Sequence, residues 1–137
     1  MIRVTVLGPI VAQGRPRFTT QAGYVQTYDP PKSVAFKRMI SHYARAAMKG
    51  RVAMKKPVEV DIQFYFSPPK SWSEKKKQAA LCGDLRHACK PDIDNLVKTI
   101  LDGINGIVFD DDEQVVVLNA VKLYGTPERV EVSVEEV

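Results

Sequence analysis

Cysteine and histidine are almost missing from this 137-residue chain, with two of each. A structural zinc site needs a closed set of four nitrogen or sulfur ligands, and Cys82 and Cys89, six connecting residues apart with no partner cysteines, do not supply one. Two thiols in a reducing compartment also exclude a disulfide-stapled miniprotein. His42 and His87 have no evident nucleophile partner, so a hydrolytic triad has no support; His42 reads as structural and His87 as a weak surface contact. No GxxxxGK[ST] phosphate loop occurs. No apolar run approaches the ~18 residues that cross a bilayer, and Met1-Ile-Arg-Val-Thr-Val-Leu7 alternates like a strand where a secretory leader would be basic and then continuously apolar. The expectation is a soluble, cytoplasmic protein. Internal repeats and low-complexity tracts are absent as well.

Acidic residues are scarce over the first ninety positions, which hold 5 Asp and Glu against 17 Lys and Arg, whereas residues 91 to 137 hold 11 against 3. The modest overall charge of +4 therefore conceals a bipolar chain. A basic field of that size draws polyanions through counterion release, and nucleic acid is the commonest one in a cytoplasm. Solvated faces serving solubility are the alternative.

The chain, residues 1–137, has the length of one ordinary domain, and with 45% hydrophobic residues it can form a core. Val58 to Phe66 alternates strictly, with Val58, Val60, Ile62, Phe64 and Phe66 on one face, the period of a half-buried strand. Val115 to Tyr124 is apolar on both faces at first and reads as a central strand, and Gly125-Thr-Pro127 turns it toward Arg129 to Val134 in an expected C-terminal hairpin. Asp29-Pro-Pro31 suits a helix start, with Phe36, Ile40, Tyr43 and Ala47 at helical spacing until Gly50. Ser71-Trp-Ser-Glu74 has capping-box spacing ahead of a short basic helix, Lys75 to Leu81. A last helix from about Asp94 carries Leu96, Ile100, Leu101 and Ile104 on one stripe and stops at Asn105-Gly106. These elements predict an α+β domain with helices packed on a mixed four-stranded sheet. Two loops remain: Gly8 to Asp29, with Arg15, Arg17, Phe18 and Tyr24, and residues 82 to 91, with Arg86, His87 and Lys90. Connections as long as the first are functional or disordered.

The most informative stretch is Lys90-Pro-Asp92-Ile-Asp94-Asn-Leu-Val-Lys98, followed after a helix by Phe109-Asp-Asp-Asp112-Glu-Gln-Val. Asp92 is expected in extended chain before a helix cap at Asp94, and a compact sheet can bring Asp112 beside them. Two carboxylates ~4 Å apart repel by about 4 kcal/mol at an effective dielectric of 20. A divalent cation relieves this, and an all-oxygen donor set suits Mg²⁺ or Mn²⁺. Lys98, one turn beyond Asp94, can balance the carboxylates, contact a phosphate or help orient a water. The competing view of Lys98 is a surface pair with Asp94 or Asp102. Caps and turns explain one or two of the aspartates, not the arrangement. An EF-hand loop counted from Asp92 fails, because Val97 and Gly103 occupy its glycine and glutamate places.

These residues, with Leu101-Asp-Gly-Ile-Asn-Gly106, resemble the central signature of the RusA family, Holliday-junction-resolving endodeoxyribonucleases of bacteria and their prophages. Gly14-Arg-Pro-Arg-Phe18 resembles its basic N-terminal motif, and the likeness spans most of the chain. The resemblance implies Mg²⁺ held by Asp92, Asp94 and Asp112, with Lys98 as the helical lysine and Asp111 as an accessory or replacement third ligand. It also implies a homodimer with two active sites and paired symmetric nicks in a four-way junction. Asp110 departs from the family pattern by adding a carboxylate. Phe18 and Tyr24 are branch-point wedge candidates by their place in the basic loop. Arg15, Arg17, Lys75, Lys76, Lys77, Arg86 and Lys90 are expected to form the basic track that lets DNA approach an acidic centre. The rivals are a non-catalytic nucleic-acid-binding regulator and a metal nuclease preferring flaps, forks or RNA.

Overall fold

The computed structural model describes residues 1–12, 17–19, 26–28 and 31–137. In chain order it contains β1 (Ile2–Leu7), β2 (Arg17–Thr19), β3 (Gln26–Tyr28), α1 (Pro31–Met48), β4 (Val58–Phe66), α2 (Glu74–Leu81), α3 (Ile93–Ile104), a 3₁₀ turn (Asp112–Gln114), β5 (Val115–Tyr124) and β6 (Arg129–Glu136). This is the expected α+β domain with a mixed four-stranded sheet, ordered β1-β6-β4-β5, beside a small β2–β3 hairpin. Arg17 and Phe18 are carried by β2, and Arg15 and Tyr24 lie outside the described residues. No helix among the described residues is long and apolar enough to cross a membrane.

The alternating rows form the core. Ile2, Val4 and Val6, the whole Val58-to-Phe66 row, and Val130, Val132 and Val134 are buried under Phe36, Ile40, Ala44 and Met48 of α1 and Leu96, Ile100 and Ile104 of α3. A row at period two meeting stripes at period 3.6 is how a sheet and helices share one apolar layer. The two helices approach so closely that a methyl group on Gly103 would lie 2.6 Å from Ile40 Cγ2 and 2.8 Å from its Cβ. Gly103→Ala is therefore expected to destabilise the fold by about 1–3 kcal/mol despite alanine's better helix propensity, because overpacking outweighs it. A urea midpoint equal to or above wild type would contradict that packing.

Three expectations need correction. β5 and β6 form no hairpin: β4 lies between them, parallel to β5 and antiparallel to β6. The connection crosses the end of β4, where Gly125 N donates to Phe66 O (2.9 Å) and the Glu128 carboxylate accepts from Ile10 N (2.9 Å) and Ser67 N (3.2 Å). β5 is consequently an edge strand and not a central one, with Val116, Val117 and Leu118 left 60%, 41% and 43% exposed. Finally, the cap of α2 is Ser73 and not Ser71; its hydroxyl accepts from Lys76 N at 3.3 Å.

Candidate functional site

The chain enters α3 through Asp92, whose extended backbone (φ −69°, ψ 141°) makes it the N-cap in place of the expected Asp94, which lies in the first turn. An N-cap aspartate ordinarily accepts a bond from the first turn, but the Asp92 side chain makes no such bond. Its carboxylate is exposed, as is that of Asp94 in the first helical turn. The helix N-terminus favours negative charge at both positions. Asp92, Ile93 and Asp94 line a shallow depression of about 430 Å³ with Ala88, Cys89, Lys90 and Lys122. Lys122 reaches from β5 under the loop and donates to Cys89 O (2.6 Å) and Pro91 O (3.0 Å). Lys98 is exposed one turn along α3, and the competing surface pair with Asp94 or Asp102 does not form: Asp102 pairs with Lys37 at 3.3 Å.

The later acidic run is hung on a different support. Val108 and Phe109 are fully buried, Met54 N donates to Val108 O (2.8 Å), and Asp110 N donates to Met54 O (3.2 Å). The Gln114 amide donates to Met54 O (2.9 Å) and Lys56 O (3.0 Å), while its oxygen accepts from Asp111 N at 2.9 Å. Asp110, the extra carboxylate, is taken up by Lys55 at 2.8 Å. Asp111 and Asp112 remain exposed and adjacent. A side-chain hydrogen bond with Asp111 pushes the Asp112 carboxyl above its ordinary value, and desolvation and the charges of Asp111 and Asp102 push the same way. Two carboxylates that close, neither of them in an ion pair among the described residues, present an acceptor-rich pair.

The structure thus joins Asp92 with Asp94 and Asp111 with Asp112, but it does not join the two pairs within one chain. They bracket α3, whose twelve residues span about 18 Å, whereas Mg²⁺ binds its oxygens at about 2.1 Å. Among the described residues no three His, Cys, Asp or Glu side chains are grouped so as to hold a metal ion. The reason is topological. α3 carries the chain to the N-terminal end of β5, and β5 runs back toward Lys122 without returning Asp112.

Basic side chains flank both ends. Beside Asp92, Lys90 lines the depression, and Arg86 is exposed in the preceding loop. On α2, Lys75 is exposed, Lys76 Nζ lies 4.2 Å over the Trp72 ring, and Lys77 pairs with Glu74 at 3.7 Å. Sequence reasoning missed the basic face at the other end: Arg38 and Arg45 on α1 line a groove of about 410 Å³ with Val34, Lys37 and Ser41. Ser41 donates to Gly103 O (2.7 Å), which fixes this groove next to the C-terminal half of α3. The seven-residue spacing of the two arginines, two helical turns on one face, was the available signal.

His87 is a further correction. It is only 8% exposed, stacked on Phe66 at 4.1 Å and tilted against Tyr124 at 5.0 Å, so it is a packed residue and not a surface contact. Burial lowers its pKa below 6.5, opposed by its backbone hydrogen bond, and the Lys122 charge adds to the lowering. A lowered folded-state pKa means that the unfolded chain binds the proton more readily, so the stabilisation is complete above about pH 6.5 and is lost as pH falls through the folded value. Urea midpoints compared between pH 7.5 and 5.5 should fall more for wild type than for His87→Phe; equal falls would remove His87 as the cause.

The profile of the family described as Endodeoxyribonuclease RusA matches residues 8–135. An uncharacterized protein of Bacillus subtilis (strain 168), YqaN, is 42% identical over 138 aligned residues, covering 99% of this chain and 96% of its own length. With the match running from residue 8 to residue 135 of 137, the chain belongs to the RusA endodeoxyribonuclease family.

Proposed function

We propose that the protein is a Mg²⁺-dependent, structure-selective endodeoxyribonuclease that resolves four-way DNA junctions by paired symmetric nicks, as a homodimer, with Mn²⁺ able to replace Mg²⁺. One observation carries this reading: two exposed carboxylate pairs stand at opposite ends of an edge strand that is apolar where it is unpaired. A long exposed hydrophobic edge is a liability that chains cover or pair. A second copy related by a two-fold axis through the middle of β5 runs its own β5 antiparallel to the first. Its Asp111 and Asp112 then approach the Asp92 and Asp94 of the first copy, and the reverse holds at the other end. Each dimer would have two sites, each made of Asp92 and Asp94 from one subunit with Asp112, and Asp111 as an accessory, from the other.

The donors fit the metal: all are carboxylate oxygens, hard ligands of the kind magnesium takes, with neither thiolate nor imidazole among them. Bound Mg²⁺ supplies a more acidic water and a positive charge opposite the developing charge on the phosphate. The protein's own contribution is to hold the carboxylates on the ends of rigid elements, to place Lys98 against the phosphate, and to anchor the DNA arms. Arg15, Arg17, Lys75, Lys76, Lys77, Arg86 and Lys90 form that anchor together with Arg38 and Arg45. Such an enzyme works in the cytoplasm, on the nucleoid or prophage DNA.

The test is incubation of purified protein with labelled four-way junction, flap, fork, duplex, single strand and RNA, with Mg²⁺, Mn²⁺ or chelator. Symmetric nicks in the junction alone, abolished by chelator, are expected. Binding without cleavage under every metal would make it a regulator, and preference for flaps, forks or RNA would reassign the substrate. Replacing Lys75, Lys76 and Lys77 with Gln should lower the slope of log affinity against log salt by about 2, because Lys77 is already paired with Glu74. An unchanged slope would take α2 off the DNA.

A further inference from the structure

We propose that Lys122 is a positioning residue for Asp92, acting through the backbone of the loop that carries it; the inference rests on the reading that this end of α3 receives the metal. The inward row of β5 runs Leu118, Ala120, Lys122, Tyr124, so that a single cation stands among apolar neighbours, opposite the buried Phe64 of β4. A half-buried ammonium is costly unless its protons find acceptors. Lys122 forms no ion pair with any described residue, although Asp92 and Asp94 line the same depression. Two of its three protons go to the carbonyls of Cys89 and Pro91.

That choice of acceptors is the informative point. A peptide unit is planar, so fixing the Pro91 carbonyl also fixes the nitrogen of Asp92 and the plane from which its Cα–Cβ bond departs. The Cys89 carbonyl, held by the same ammonium, keeps the loop from rotating about the intervening residues. The Asp92 side chain itself has no cap hydrogen bond, so no local bond to the helix fixes its aim. Lys122 thereby pre-orders, from the loop side, a residue otherwise held by the bond from Leu96 N to its carbonyl (3.2 Å), and it does so while keeping its charge near the acidic pair. Outer residues that orient ligands in this way commonly change metal affinity or activity by about 10–100-fold when removed.

The experiment compares full-length wild type, Lys122→Met and Lys122→Arg. Methionine keeps an unbranched stem and removes the donors, and arginine restores donors. Backbone ¹⁵N order parameters at Cys89, Lys90 and Asp92 should fall in Lys122→Met from about 0.85 to below about 0.6. The Mn²⁺ concentration that half-broadens the Asp94 and Asn95 amide signals should rise about 10–100-fold, as should the Mg²⁺ needed for half-maximal junction cleavage, with kcat at saturating metal changed less. Lys122→Arg should recover most of both. Unchanged order parameters, an unchanged metal requirement despite a loosened loop, or an arginine variant as impaired as methionine would each overturn the proposal. Wild type that binds no Mn²⁺ at these amides would instead sink the functional reading beneath it, and the order parameters would then judge the backbone pin separately.

Discussion

Asp92→Asn is expected to lower the proposed Mg²⁺-dependent junction cleavage by about 10³-fold or more while leaving junction affinity unchanged or tighter. The two halves of this expectation have different sources. Asparagine preserves the shape of the N-cap and the entry into α3, where the native side chain makes no capping bond, so the fold loses nothing that the structure records there. On the proposed reading it removes one negative oxygen donor from the set that would neutralise a divalent ion, and a metal's transition-state contribution is several kcal/mol, each 1.36 kcal/mol being tenfold in rate. DNA affinity moves the opposite way because a carboxylate near the sugar-phosphate backbone repels it, while the basic residues around the depression remain. The measurements are single-turnover cleavage of a labelled junction and its binding in chelator. Cleavage within tenfold of wild type would remove Asp92 from the metal site; loss of binding together with cleavage would point to misfolding, checked by the urea midpoint.

Mixing two inactive variants restores activity if each site is shared between subunits. Asp92→Asn alone and the double variant Asp111→Asn with Asp112→Asn are each expected to be inactive as homodimers, about 10³-fold or more below wild type. Asp111 and Asp112 are replaced together because they share a hydrogen bond and either can serve as the third ligand. In the heterodimer, one site collects every substitution and the other collects none. It should therefore nick one strand at about half the wild-type rate and fail to make the paired second cut, in keeping with one intact site of two. A heterodimer as inactive as its parents would place all the carboxylates of a site in one subunit, against the separation that α3 imposes.

Much of this architecture is readable without coordinates. The strict alternation from Val58 to Phe66 fixed a strand and its buried face, and every residue of that row is buried. The α3 stripe and its stop at Gly106, whose φ is +76°, were equally local signals. Asp92 and Asp94 were legible as a pair because only a few bonds separate them. Residues without a local signature were not legible. His87 looks like a solvent-facing loop histidine until Phe66 and Tyr124, more than twenty residues away in either direction, close around it. Lys122 looks like an ordinary charge breaking an apolar run until the 89–91 loop lies over it.

The sequence by itself determined the three helices and the four strands of the main sheet, though not the β2–β3 pair inside the expected loop, and which side of most of them is apolar, because these depend on spacing along a few turns of chain. Tertiary structure decided the order of the strands, and with it the meaning of β5. A segment apolar on both faces calls for neighbours on both sides, but periodicity does not say whether the second neighbour belongs to the same chain. β4 pairs with one edge of β5 and leaves the other open, and α3 holds the two aspartate pairs apart by its own length. Pairing between distant strands is set by competition among whole faces for a shared core, which no local pattern encodes.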